Sequence, residues 1–181
     1  MYADYKRSPS DAIPYFASGY TPAVAPMFKP LKRRLLVDYR DRDSGSAFDF
    51  VVKLGASGVE PYQHVSSVEL KLLAIPKVSS ESYAIIDIRE LNDSLLDATN
   101  NAANRSFAVG FFDTSLLSAG DTKPIKDFYS QKVIFNPPLQ TLDRLSIRVL
   151  KQDGNVVSVS ETANIADVSM LLEIETNAQR V

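Results

Sequence analysis

Apolar and polar residues alternate along this chain in short runs separated by Pro, Gly, Asn and Asp. The clearest run covers residues 142–150, where Leu145, Ile147 and Val149 fall on one face and Arg144, Ser146 and Arg148 on the other. A period of two over this length predicts a strand with one wet face. The same reading gives strands over 34–39, over 48–54 with Phe48, Phe50, Val52 and Leu54 in register, and over 65–74, which Pro76 ends. Residues 83–88 are apolar at nearly every position, which predicts a strand covered on both faces. Further strands fall at 107–112, at 131–135 where Pro137 and Pro138 stop the run, and at 170–174, with 156–159 as a hairpin partner of the 142–150 strand. Residues 91–105, rich in Asn, and residues 113–127 read as long loops.

Strands without a helix long enough to cover a sheet exclude a βαβ architecture and leave two antiparallel sheets packed face to face. Eight main strands joined by long cross-connections fit an all-β, eight-stranded antiparallel single jelly roll better than an up-and-down barrel, which needs mostly short hairpin loops. The predicted organisation is an extended proline- and aromatic-rich arm over 1–32, followed by one jelly-roll domain over 33–181. In the arm, Pro9, Pro14, Pro22, Pro26 and Pro30 leave no room for a helix or strand of useful length. Six aromatic side chains lie there, and exposed rings on an extended segment favour ordering on a neighbouring surface, with folding back onto its own domain as the alternative.

Composition narrows the partners. The net charge is −2, yet residues 1–46 carry eight Lys and Arg against five Asp and Glu, while the remainder is acidic. Arg33, Arg34, Arg40 and Arg42 make the junction of arm and domain locally basic. They either pair with Asp38, Asp41 and Asp43 or meet an acidic neighbour. A basic excess over the whole domain, expected of a nucleic-acid binder, is missing, so no direct nucleic-acid contact is expected. The chain has no Cys, which removes thiolate chemistry and disulfides and fits assembly in a reducing compartment. No apolar run reaches the roughly 18 to 20 residues needed to span a bilayer, so no transmembrane segment is expected.

Chemistry is sparsely signalled. His64 is the single histidine, so neither a His-based triad nor a multi-His metal site has partners, and no phosphate-binding glycine loop or nucleophile elbow occurs. Asp41, Asp43 and Gly45 resemble part of a calcium loop, but Val52 stands where that loop needs glutamate. Asp87, Glu90, Asp93 and Asp97 could supply paired carboxylates and otherwise form a solvated acidic loop. The Asn100–Asn104 region could line a glycan site, although the absence of Trp weakens that idea. The expectation is a non-enzymatic protein without cofactor or metal.

Two segments carry a resemblance. RRLLVDYRDRD (33–43), followed by FDFVVKL (48–54) and VSSVELKL (65–72), resembles the opening of the single jelly-roll capsid proteins of large icosahedral double-stranded DNA viruses and their virophage relatives. FNPPLQTLDRLSIRVLKQDG (135–154) is similar to a later phrase of the same proteins, and Tyr39 stands where their first phrase has Ser. The resemblance implies a penton or minor capsid protein located in the virion and assembled in the host cytoplasm. Its expected partners are four further copies of itself in a pentamer, the major capsid protein and other minor capsid proteins; a cement protein or a glycan-binding sandwich at the virion surface is the alternative. The candidate interface anchors are Tyr15, Phe16, Tyr20 and Phe28 with Arg33, Arg34, Arg40 and Arg42, since a buried aromatic at a hot spot is worth on the order of 2 kcal/mol or more.

Overall fold

The computed structural model describes residues 28–55, 58, 60–79, 81–91, 98–104, 106–112, 118, 121–125, 127–165 and 167–179. Its strands are β1 (Phe28–Asp38), β2 (Ser44–Gly45), β3 (Asp49–Lys53), β4 (Tyr62–Pro76), β5 (Tyr83–Ile88), β6 (Ala108–Phe111), β7 (Thr122–Ile125), β8 (Phe128–Ser130), β9 (Val133–Leu142), β10 (Arg144–Leu150) and β11 (Ser169–Gln179). They form two antiparallel sheets. Sheet A runs β1-β11-β4, with β7 and β9 sharing the far edge of β4, and sheet B runs β2-β3-β10-β5-β6-β8. The chain crosses from one sheet to the other between β1 and β2, β3 and β4, β4 and β5, β6 and β7, β7 and β8, β8 and β9, β9 and β10, and β10 and β11. Two antiparallel sheets joined by these repeated crossings make the single jelly roll. Among the described residues the helical segments are short 3-10 turns, and no helix is long and apolar enough to cross a membrane.

Inward side chains of both sheets form one core. Val68, Leu73, Met170, Leu172 and Ile174 from sheet A face Phe50, Ile86, Ile88, Leu145, Ile147 and Val149 from sheet B, with Phe48 just ahead of β3 joining them, all almost fully buried. Each contributes about 1.5–3 kcal/mol on removal from water. A second cluster, Ile85, Ala103, Val109 and Leu150, lies on the outer side of sheet B beneath the 98–104 segment. This explains why β5 is buried on both faces, as its unbroken apolar run predicts.

Several boundaries differ from the sequence expectation, each for a physical reason. β1 begins at Phe28, ahead of the 32/33 arm boundary, and pairs through Pro30 opposite Asn177. It is an edge strand with one neighbour, where every second N–H points away from the partner and a proline is accommodated. β9 runs past Pro137 and Pro138 because its ladder with β4 jumps from Val65↔Leu139 to Ser67↔Ile134, so the prolines fall in a bulge and interrupt no required bond. The 113–127 stretch contains β7, whose Pro124 also sits on an edge, and β8 follows at Phe128. Residues 156–159 make a single bridge, Leu150↔Val156, before the 3-10 turn Val159–Thr162.

Gly45 turns β2 into β3 with φ at 100°, and a Cβ there would lie 2.2 Å from the Asp49 carbonyl oxygen. Backbone cannot retreat from that contact as a flexible side chain could. Gly45→Ala is expected to lower unfolding free energy by about 2 kcal/mol, read as a shift in urea midpoint with unchanged slope. An unchanged midpoint would show that the turn relaxes without cost.

Candidate assembly surfaces

The four candidate arginines take separate partners. Arg33 and Arg34 are adjacent in β1 and therefore leave it on opposite faces. Arg33 lies over the Tyr62 ring at 6.0 Å, at the rim of the core, while Arg34 approaches Glu173 at 3.9 Å on the outer face of sheet A. Arg40 donates to Asp38 and to Asp167, both at 3.1 Å, and these carboxylates raise its pKa, Asp38 most. Arg42 stacks over Tyr39 at 5.4 Å and donates to the Tyr39 carbonyl. Of the aromatic anchors, Tyr15, Phe16 and Tyr20 lie outside the described residues, and Phe28 opens β1 opposite Gln179.

The candidate carboxylates are engaged in holding sheet B together. Asp87 receives two hydrogen bonds from the Arg148 guanidinium across the β5–β10 pair. Glu90 receives the Ser146 backbone N–H and hydroxyl, both at 2.7 Å, and Arg144 lies 3.5 Å away. Asp93 and Asp97 lie outside the described residues. Asp43 accepts the Lys53 backbone N–H across the β2–β3 turn. Among the described residues no three His, Cys, Asp or Glu side chains gather as metal ligands would. His64 is exposed within β4, with φ at 52°. A cleft of about 240 Å³ lies beside it, bounded by Leu31, Arg33, Tyr62 and Asn177. Asn100 donates to the Tyr83 hydroxyl at 3.0 Å and to the Gln152 carbonyl at 2.7 Å, and its oxygen accepts the Ala102 N–H. This side chain ties the 98–104 segment to sheet B.

The outer face of sheet A combines charges with an apolar row. Lys32 and Arg34 flank Glu173, Lys71 pairs with Glu69 at 2.6 Å, and Lys132 with Glu175 at 2.9 Å. The cations project: the Lys32 and Arg34 side chains are 60% and 71% exposed, and Glu173 between them 16%. Beside these pairs the register aligns Leu36 with Leu171 and Leu171 with Leu72, a row of outward leucines across three strands. Leu36 is 64% exposed and Leu72 36%. Each belongs to a Leu-Leu pair whose other member, Leu35, Leu172 or Leu73, points into the core.

The outer face of sheet B bears a concave apolar site of about 510 Å³. Tyr83, Phe111 and Tyr129 line it together with Val109, Ala98 and Ala103. The Tyr83 and Phe111 rings lie 5.8 Å apart and tilted, a favourable aromatic arrangement. Phe111 and Tyr129 remain 49% and 44% exposed. These outward residues escaped the sequence reading, although the doubled apolar letters Leu35-Leu36, Leu72-Leu73, Leu171-Leu172 and Phe111-Phe112 mark where strict alternation breaks.

No protein-family model matches the chain. The chain is similar to the penton capsid protein P1 of Paramecium bursaria Chlorella virus 1, with 28% identity over 101 residues, which is 54% of this chain and 58% of that protein. It thus matches little more than half the length of that relative.

The ion pairs on sheet A carry a pH signature. Glu175 titrates below its ordinary 4.5, first because Lys132 donates to it and further because Ser67 does. A carboxylate held low contributes stability above its unfolded pKa, and that contribution is lost as pH falls through the folded value. Denaturation midpoints of the wild type should therefore decline on acidification below about 4.5, and Lys132→Met should show a smaller decline. Identical profiles for the two would remove the pair from the acid response.

Proposed function

We propose that this chain is a penton-type structural protein of an icosahedral virus, forming rings of five that close the fivefold vertices and contact neighbouring capsomers. The observation that carries the reading is the conjunction of a single jelly roll with similarity to a penton capsid protein. The work of such a protein is done by shape and surface: a heterologous contact repeated around an axis closes into a ring when the rotation per copy divides the circle. The described carboxylates singled out as chemical candidates support this, because Asp87 and Glu90 hold strands rather than line a cleft. The segment ahead of β1, residues 1–27, acts in this reading as a tether to adjacent capsid subunits, with Tyr15, Phe16 and Tyr20 as its anchors and Phe28 and Arg33 at its root in β1.

Native mass measurement of the full chain, alone and with the major capsid protein, should give a species with the mass of five 20.0 kDa chains. A stable monomer under both conditions would overturn the penton reading, and a chain binding capsomers without forming rings would indicate a cement protein. Deletion of residues 1–27, which stops short of β1, should leave the jelly roll folded by circular dichroism and abolish incorporation into particles. Loss of folding on that deletion would mean the segment is part of its own domain's core.

A further inference from the structure

The hollow on the outer face of sheet B is neutral and aromatic. Tyr83, Val109, Phe111 and Tyr129 line it beside Ala98 and Ala103, and none of its described lining residues is charged. The polar groups on its rings and amide are already engaged: Asn100 donates to the Tyr83 hydroxyl and the Gln152 carbonyl and accepts from Ala102, and the Tyr129 hydroxyl accepts from Gln131. A glycan needs donors and acceptors that are still open, and a charged group would lose its water here without gaining a partner. Phe111 and Tyr129, both about half exposed, instead match apolar and aromatic surface.

One segment of the chain has that composition. Residues 12–28 are its longest run without a charged side chain, and they carry Tyr15, Phe16 and Tyr20. Pro14, Pro22 and Pro26 lack a backbone N–H and favour a polyproline-type backbone, so the segment brings few donors that contact would bury. Proline-rich segments dock in aromatic-lined grooves on these grounds.

The fold puts the root of this segment far from the hollow of its own copy. β1 stands over β3, since Leu35 and Val37 share a depression with Val52 and Leu54. β6 stands over β4 and β7, where a Cβ on Gly110 would lie 2.9 Å from Leu73 and 3.0 Å from Ile125. The segment thus leaves at one margin of the sandwich, and the hollow opens toward the other. The levels differ as well. The ladders align Val37 with Met170 and Met170 with Leu73, level with Gly110, whereas Phe28 stands nine residues earlier in β1. That is about 30 Å along the strand. Phe16 lies twelve residues from Phe28, a reach of about 37 Å in a polyproline-type backbone. A path to its own hollow adds about 25 Å over the surface for three strand spacings and the gap between sheets, and brings Phe16 to full stretch. In a ring, each copy presents one margin to the opposite margin of the next, and the path shortens to the difference in level.

We infer that the hollow receives the 12–27 segment of an adjacent copy, its rings seated against Tyr83, Phe111 and Tyr129. The inference rests on the ring-forming reading above and names the surface that the tether grips.

The chain contains no cysteine, so introduced thiols report one contact at a time. Ser18→Cys falls between Phe16 and Tyr20, and Thr99→Cys falls at an exposed position of the hollow, so neither removes a ring. The full chain carrying both, oxidised with and without the major capsid protein, should give a disulfide ladder reaching five chains on a non-reducing gel. Mass mapping should place the links between position 18 of one chain and position 99 of another, and Leu36→Cys in place of Thr99→Cys should leave position 18 unlinked to position 36. Chymotrypsin supplies a second readout, because Tyr15, Phe16 and Tyr20 are its sites and cleavage follows the fraction of time the segment is released. Tyr129→Lys, which sets a charge in the neutral hollow, should speed that cleavage about tenfold at an unchanged melting temperature, while Tyr129→Phe stays as slow as wild type. A link between positions 18 and 99 of the same chain would overturn the assignment to an adjacent copy. Five-copy rings without the link, cut equally fast in wild type and Tyr129→Lys, would overturn the hollow as receptor and leave the penton reading in place. A wild type that stays monomeric, alone and with the major capsid protein, would overturn both.

Discussion

Everything in this molecule depends on one constraint: two sheets can share a dry interior only if each strand points every second side chain inward. β4 and β11 supply Val68, Leu73, Met170, Leu172 and Ile174 to one wall, and β10 and β5 supply Leu145, Ile147, Val149, Ile86 and Ile88 to the other. A shift of one residue in register would send these groups into water and bring their charged neighbours inside. The outer-face ion pairs, Asp87 with Arg148 and Glu175 with Lys132, sit at the polar positions of the same alternation. They are consequences of the register that also oppose its slippage.

This constraint explains what could be read from the letters. Strands with one wet face, such as β3, β10 and β11, announce themselves by alternation, and β5 by its unbroken apolar run. The elements that escaped are those where pairing, and not burial, fixes the backbone. β7 and β8 are short, and the second half of β9 lies beyond two prolines that only its bulge makes compatible with a ladder. Their existence depends on where β4 and β6 present free edges, which no local pattern encodes.

The surfaces were less legible than the fold. The arginines at 33, 34, 40 and 42 look like one basic patch in the sequence, yet strand geometry sends Arg33 toward Tyr62 and Arg34 toward Glu173, while the turn after β1 gives Arg40 to two carboxylates. Neighbours in sequence parted company. Leu36, Leu72 and Leu171, far apart along the chain, became neighbours through register alone. For a protein whose similarity is to a capsid component, this outer alignment matters more than any cluster of reactive groups, since association draws on what strands turn outward.

Pro30 lies in β1, Pro124 in β7, and Pro137 and Pro138 in β9, so both margins of sheet A include residues that lack a backbone donor. Sheet B ends instead in strands of two and three residues, β2 and β8. Neither sheet offers a long unbroken margin on which a stranger's strand could grow. Growth of one continuous sheet from copy to copy is thereby hindered at the margins these strands form.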